Sequence, residues 1–382
     1  MKVTKTIDDC FYFIQNGANI KQSKIDGGYP ITRIETISND RFNRDKMGYA
    51  GITDLTNYSN YILENDDLLM SHINSPQYLG RTILYKKKKG ETIIHGMNLL
   101  RLKANTELIK PSYARYVFYS NSFRQQIIKI TKKSVNQASF SVNDLKKIKL
   151  ELPEIKEQQN IVNKLDKISN IIDLKTKKLR LLDELVKARF VEMFGSIHEN
   201  KIYPYLSVKN ITTVYSGGTP NRKKIEYWEN GTIPWVKTTE LQNNHLSTIE
   251  ECITKEGLKN SSAKIIPAKS ILIAMYGQGK TRGMTAFLDI DSSTNQACAC
   301  LLSTTNINME YMWYYFQFSY NKLRGLAKGG NQPNLNLNMI KNFPVLVPPI
   351  ALQNQFADFV KQVDKSKFMN VRMICKFKKN VR

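Results

Sequence analysis

The sequence predicts an α+β protein. Two similar domains of mixed strands and helices are joined and separated by two long helices that form an antiparallel coiled coil. A repeat and two helical seams predict this. The chain states one passage twice: NQASFSVNDLKKIKLELPEIKEQQ begins at Asn136, and NQPNLNLNMIKNFPVLVPPIALQNQ begins at Asn331. The register shift of 195 residues holds without a gap through the prolines (Pro153, Pro348) and the glutamines (Gln158, Gln353). A period near half of the 382 residues is too long for a solenoid and marks a duplicated module. A duplicated module implies two similar binding surfaces.

Between the copies, apolar residues recur in alternating steps of four and three: Ile161, Leu165, Ile168, Ile172, then Leu179, Leu182, Val186 and Met193, with Lys175 and Arg189 as the polar members. That is a heptad seam. No Pro or Gly interrupts Lys156 to Phe194, and Gly195 is a natural stop. A rod of this length spans roughly 58 Å. After Pro348-Pro349 a weaker seam appears at Phe356, Val360 and Val363; Lys367 and Asn370 break it before Ile374, Phe377 and Val381 resume it. An antiparallel pair of helices would bury both stripes and hold two domains at a fixed distance.

The boundaries follow: residues 1–150 form the first domain, 151–198 the central helical spacer, 199–346 the second domain and 347–382 a short C-terminal spacer. In the first domain, Asp67–Ser71 and Arg81–Tyr85 read as strands, and Tyr113–Ile130 reads as a helix with one broad apolar face. Ser270–Ala274 and Tyr311–Leu326 answer them in the second. Gly217-Gly218-Thr219-Pro220 sits where Gly17 sat, and Ile233–Val236 answers Tyr29–Thr32.

The composition, 41% hydrophobic and 24% charged, is that of a soluble globular protein. The outlier is charge: 57 Lys+Arg against 33 Asp+Glu gives +24. Such an excess points to a polyanion, foremost nucleic acid. No apolar run of about 18 residues exists and the start lacks a secretory pattern, so no membrane association and a cytoplasmic location are expected. The five scattered cysteines fit reduced thiols. Cys298 and Cys300 alternate in NQACACLL, which reads as buried thiols on one face of a strand rather than a metal pair.

Catalytic motifs fail one by one. Ala274–Thr281 (AMYGQGKT) resembles a phosphate-binding loop, but its first glycine is Ala274 and the following RGMTAFLDI reads as a strand, where a phosphate cradle needs a helix N-terminus. A basic, glycine-rich loop between strands suits a DNA backbone instead. Asp289 and Asp291 alternate on one strand without a third carboxylate or lysine to complete a nuclease site. The histidines (His72, His95, His198, His245) are dispersed. Neither a catalytic constellation nor a metal site emerges. Lys86–Lys89 reads equally as a solvated tip or a phosphate contact.

The candidate DNA contacts are therefore polar and basic loop residues. In the first half they are Lys21, Arg33, Arg41, Arg44, Lys46, Arg81, Lys132, Lys133, Asn136 and Gln137. In the second half they are Thr219, Arg222, Lys223, Lys237, Thr238, Gln278, Lys280, Arg282, Asn331 and Gln332. Amides such as those of the Asn-Gln pairs either read adenine edges or cap a loop backbone.

LPEIKEQQNIVNKLDKI at Leu152–Ile168 and VPPIALQNQFADFVKQVDK at Val347–Lys365 resemble the conserved helical segments of the specificity subunit of type I restriction–modification enzymes. SGGTP at Ser216–Pro220, IPWVKTTEL at Ile233–Leu241 and SILIAMYGQGKTRG resemble that family's target-recognition domains, and the likeness spans nearly the whole chain. The first domain departs from it, offering Gly17-Ala18-Asn19 where the Gly-Thr-Pro signature would stand. The resemblance implies a non-catalytic subunit whose two domains each read half of a split sequence in double-stranded DNA. It implies a helical spacer that sets the gap and docks two methyltransferase (modification) subunits. S-adenosylmethionine would come with those subunits, and ATP with Mg with restriction motor–nuclease subunits; this chain would bind no cofactor. The alternatives are a subunit of a modification-only system, a self-contained nucleic-acid enzyme, and a basic coiled-coil interaction protein.

Overall fold

The computed structural model describes residues 2–381 apart from 24–26, 39, 40, 135, 136, 198, 199, 278 and 328–332. The chain divides into two compact units, Met1–Lys175 with Met373–Arg382, and Thr176–Arg372.

In unit 1, strands Phe11–Asn16, Leu99–Ala104, Leu68–Ser71 and Thr82–Leu84 form an antiparallel sheet in that spatial order. The first strand of the chain, Val3–Thr6, pairs antiparallel with Lys149–Leu152, so the unit's two ends meet. Leu68, Met70, Leu100 and Leu102 present one sheet face to Tyr113, Phe118, Phe123 and Ile127 from the helices. The alternate residues Leu69, Ile83 and Leu99 bury on the other face, as the period of two along a strand requires.

Unit 2 repeats the plan. Val214–Ser216, Cys298–Leu301, Ile271–Ala274 and Thr285–Leu288 keep the same spatial order, and Asn244–Leu246 adds a fifth, parallel strand. Tyr205–Ser207 pairs antiparallel with Pro344–Leu346, the counterpart of the end-closing pair in unit 1. Cys298 and Cys300 both bury on one face of their strand, while Ala299 and Leu301 bury on the other. Burial pushes the Cys298 thiol up to about 11, which keeps it protonated.

Two sequence expectations change. The helix expected over Tyr113–Ile130 is two helices, Pro111–Val117 and Asn121–Ile130. Its counterpart over Tyr311–Leu326 is likewise Met309–Phe318 and Tyr320–Gly325. Serine marks both breaks: Ser120 Oγ accepts the Phe123 N–H, an N-cap that restarts the helix, and Ser319 is buried at the second break. Asp289 and Asp291 lie beyond the strand, which ends at Leu288. Asp289 faces His245 at 2.8 Å, and Asp291 accepts the Ala268 N–H.

The central helix runs Ile155–Phe194 without interruption and ends at Gly195, whose φ of +74° is left-handed. Every position of its seam, from Ile161 through Leu165, Ile168, Ile172, Leu179 and Leu182 to Val186 and Met193, is buried or half-buried. The terminal helix covers Ile350–Val381. Within unit 2 the two helices pack antiparallel. Asp183 meets Lys367, Arg189 lies over Phe359, and Phe190 and Phe194 meet Phe356. The terminal seam is not broken where the sequence turns polar. Lys367 stays on the stripe because its Nζ reaches Asp183 at 2.8 Å and Asp364 at 3.3 Å. Asn370 is buried, and its amide donates to the Ser366 carbonyl. Among the described residues, no helix is long and apolar enough to cross a membrane.

Candidate nucleic-acid interface

The repeated glutamines anchor each long helix to its own unit. Gln158 is fully buried; its Oε1 accepts the Lys110 N–H at 2.9 Å, and its Nε2 donates to the Leu108 and Pro153 carbonyls at 2.9 and 3.0 Å. Gln353 does the same with the Asn308 N–H at 2.8 Å and the Pro348 carbonyl at 2.7 Å. Both amides close the backbone that leads into the first helix of the pair. The duplicated motif is thus a joint between each α+β domain and its long helix.

In unit 2 the predicted loop residues converge. Arg222 stacks over Trp228 and Trp235, with its guanidinium carbon 3.6 and 4.6 Å from the ring centres, and ion-pairs with Glu251. Lys237 approaches the same carboxylate at 3.7 Å. Thr219 bonds Gln296, and Thr238 bonds Asn295 at 2.9 Å. Two separate loops are therefore tied together through Glu251, Asn295 and Gln296. The sequence reading missed all three; the signal for Asn295 and Gln296 was another Asn-Gln pair, opening NQACACLL, and nothing marked Glu251. The glycines of the SGGTP motif permit this closeness. A Cβ on Gly217 would sit 2.3 Å from the Asn295 carbonyl oxygen, and one on Gly218 would sit 2.3 Å from the Ala263 nitrogen. Lys223 is exposed beside this cluster.

The loop resembling a phosphate-binding motif connects two antiparallel strands, Ile271–Ala274 and Thr285–Leu288, and no helix begins at Lys280-Thr281. Lys280 is exposed. Arg282 is half-buried and donates to the Pro333 carbonyl, so its fork faces the protein.

Unit 1 disperses its candidates. Lys21, Lys46, Lys132, Lys133 and Gln137 are exposed. Arg41 pairs with Asp173 of the central helix at 2.6 Å. Arg33 lies 3.5 Å from Glu35, and Arg81 covers the Tyr78 ring. Arg44 is held in place by Glu91, with Nε and an Nη at 2.8 and 2.6 Å, and this bidentate bond holds the Glu91 carboxyl down at about 2. Of the tetralysine, Lys86 pairs with Asp66, while Lys87, Lys88 and Lys89 are exposed. Asn136, Gln278, Asn331 and Gln332 lie outside the described residues. Among the described residues, no cluster of His, Cys, Asp and Glu could hold a metal ion.

The sequence model of the type I restriction modification DNA specificity domain matches residues 2–184 and 203–372. A Methanocaldococcus jannaschii protein, named by inference as the type I restriction enzyme MjaX specificity subunit, is 36% identical over 379 residues, which cover 94% of this chain and 86% of that protein. The EcoR124I/EcoR124II specificity subunit of Escherichia coli is 26% identical over 227 residues, 57% of this chain and 56% of that one. The crystal structure of the type I restriction–modification S subunit from M. genitalium superposes with a TM-score of 0.60 at 13% identity, covering 100% of this chain and 94% of that one, and so shares the fold. With a twice-matched domain, a relative similar over most of its length and the fold of an S subunit, this chain belongs to the type I restriction–modification specificity subunits and carries two of their DNA specificity domains.

Proposed function

We propose that this chain is the non-catalytic, sequence-reading subunit of its system, with each recognition domain reading one half of a bipartite double-stranded DNA target. The observation that carries this reading is the repetition of one sheet order twice in a single chain, each copy pinned to a long helix by the same glutamine. Two similar readers on a rigid rod impose a half-site spacing by geometry, as dimeric readers do by symmetry. The charge of +24 supplies salt-dependent affinity for phosphates, and polar loop side chains supply the reading. The domains in this reading are 1–150 and 199–346, with 151–198 and 347–382 as the spacer. The spacer docks two methyltransferase subunits, which bring S-adenosylmethionine. Motor–nuclease subunits bring ATP and Mg, and the complex works in the cytoplasm.

Selection from a randomised duplex pool, with the chain co-purified with its methyltransferase subunit at moderate salt, tests this. The expected product is two short defined blocks with a fixed unspecified gap. A single block, or binding without any motif, refutes two-domain reading.

A further inference from the structure

Gly80 and Gly283 close the same turn in the two units. The Gly80 N–H donates to the Ser71 carbonyl and the Gly283 N–H to the Ala274 carbonyl, both at 2.8 Å. Ser71 and Ala274 end corresponding strands, and both glycines are left-handed, with φ of +71° and +84°. The second helix of each pair abuts each glycine. A Cβ on Gly80 would meet Ile127 Cγ1 at 3.1 Å, and one on Gly283 would meet Arg324 Cγ at 3.1 Å.

The two buttresses differ in chemistry. Ile127 is an apolar stop. Arg324 continues past the glycine and grips the loop: one Nη donates to the Arg282 carbonyl at 2.7 Å, the other to the Gly279 carbonyl at 2.8 Å. Its first Nη also donates to the Tyr320 hydroxyl at 3.1 Å, and that hydroxyl donates to the Lys280 carbonyl at 2.7 Å. Two side chains of one helical turn therefore hold three carbonyls of a loop whose outer side is open, since a Cβ on Gly279 would meet nothing within 4 Å. A planar fork with fixed donors suits this bridging, where a lysine ammonium, a single point of charge, does not.

We propose that Arg324 and Tyr320 are positioning residues for DNA reading by the second domain. They fix the Gly279–Gly283 backbone so that Lys280 meets the DNA at one place, and they act on that domain's half of the target alone. The inference rests on the reading of this loop as DNA-facing.

The test uses the full-length chain carrying Arg324→Lys, Tyr320→Phe or Lys280→Ala, with pool selection, a salt titration of affinity and thermal unfolding for each. Arg324→Lys keeps the charge and loses the bridge. We expect it to lose about tenfold in affinity, the scale of one charge-assisted hydrogen bond. Base preference should relax in one half-site only, with the salt slope unchanged. Tyr320→Phe should relax the same half to a smaller degree. Lys280→Ala should lower the salt slope by about one. If both Arg324→Lys and Tyr320→Phe keep full preference in both halves while Lys280→Ala lowers the slope, the positioning role falls and the DNA-facing loop stands. An unchanged salt slope in Lys280→Ala overturns the DNA-facing loop and the proposal with it. Equal relaxation of both halves in Tyr320→Phe also overturns it, because a general loss of fold gives that pattern.

Discussion

Gln158 and Gln353 illustrate how far a single residue can be read. Their positions past a proline were plain in the sequence; their partners, 45 to 50 residues away at Lys110, Leu108 and Asn308, were not, because only the fold brings those backbones to the helix start. Gln158→Leu keeps the volume but leaves a buried N–H and two carbonyls unsatisfied, at a cost of about 1–3 kcal/mol. Thermal unfolding should show the loss, and an unchanged midpoint refutes the joint. The buried histidines make a second prediction at this scale. Burial pushes His72 down to about 4 and His95 down to about 3. Both values lie below that of an exposed imidazole, about 6.5, so the unfolded chain takes up protons first as pH falls. Above about 6.5 the histidines leave stability unchanged. Below it, each removes up to about 1.4 kcal/mol per pH unit until its folded value is reached. Both lie in unit 1, whereas all three tryptophans (Trp228, Trp235, Trp313) lie in unit 2. Hydrogen exchange should therefore show unit 1 losing protection near pH 5 before tryptophan fluorescence reports any change in unit 2. Simultaneous loss contradicts this.

At the scale of elements, the long helices were the most legible part of the fold, because a four-three stripe specifies a helix and its buried side together. Their antiparallel pairing was legible too, but the aromatic cluster they share with unit 2 was not. Phe190 falls beside the seam position Arg189, yet it is completely buried. Its ring stacks on Tyr311 at 5.6 Å and meets Phe194, Phe318 and Phe356. This aromatic cluster joins the central helix, the terminal helix and the first helix of the pair in unit 2. Phe190→Ala should leave a cavity costing about 3–5 kcal/mol, measured as a lowered urea midpoint of the unit 2 tryptophan signal. A change below about 1 kcal/mol would show that the cluster does not hold the spacer. The helix breaks at Ser120 and Ser319 were hidden for the opposite reason: apolar residues continue past both, and a single serine is a weaker signal than such a stripe.

At the scale of the whole molecule, the repeat shift and the heptad seam lead to one expectation about function. Deleting one heptad, Lys175 to Leu181, keeps the seam in phase while shortening the rod by about 10 Å. Pool selection with this variant should return an altered gap or no binding; the parental gap would refute the spacer as a ruler. Exchanging residues 1–150 for the first domain of another specificity subunit should change one block of the recognised sequence and leave the other. A change in both blocks would show that the domains do not read independently.

The sequence by itself determined the duplication, the helical rods, the strand that follows the loop imitating a phosphate cradle, and the basic charge. Each is written in local order, as a period, a spacing or a composition. The tertiary structure decided how each charge is partnered within the chain. Arg44 is held bidentately by Glu91, and Arg41, still exposed, pairs with Asp173; these partners lie 47 and 132 residues away in sequence. Lys367 looked like a break but is neutralised by Asp183 across the helix pair. The clustering of Arg222, Lys237, Thr219 and Thr238 likewise depended on Glu251, Asn295 and Gln296 arriving from other loops. A charge carries its sign in the sequence, but its partner is fixed only by distance, and distance is a property of the fold.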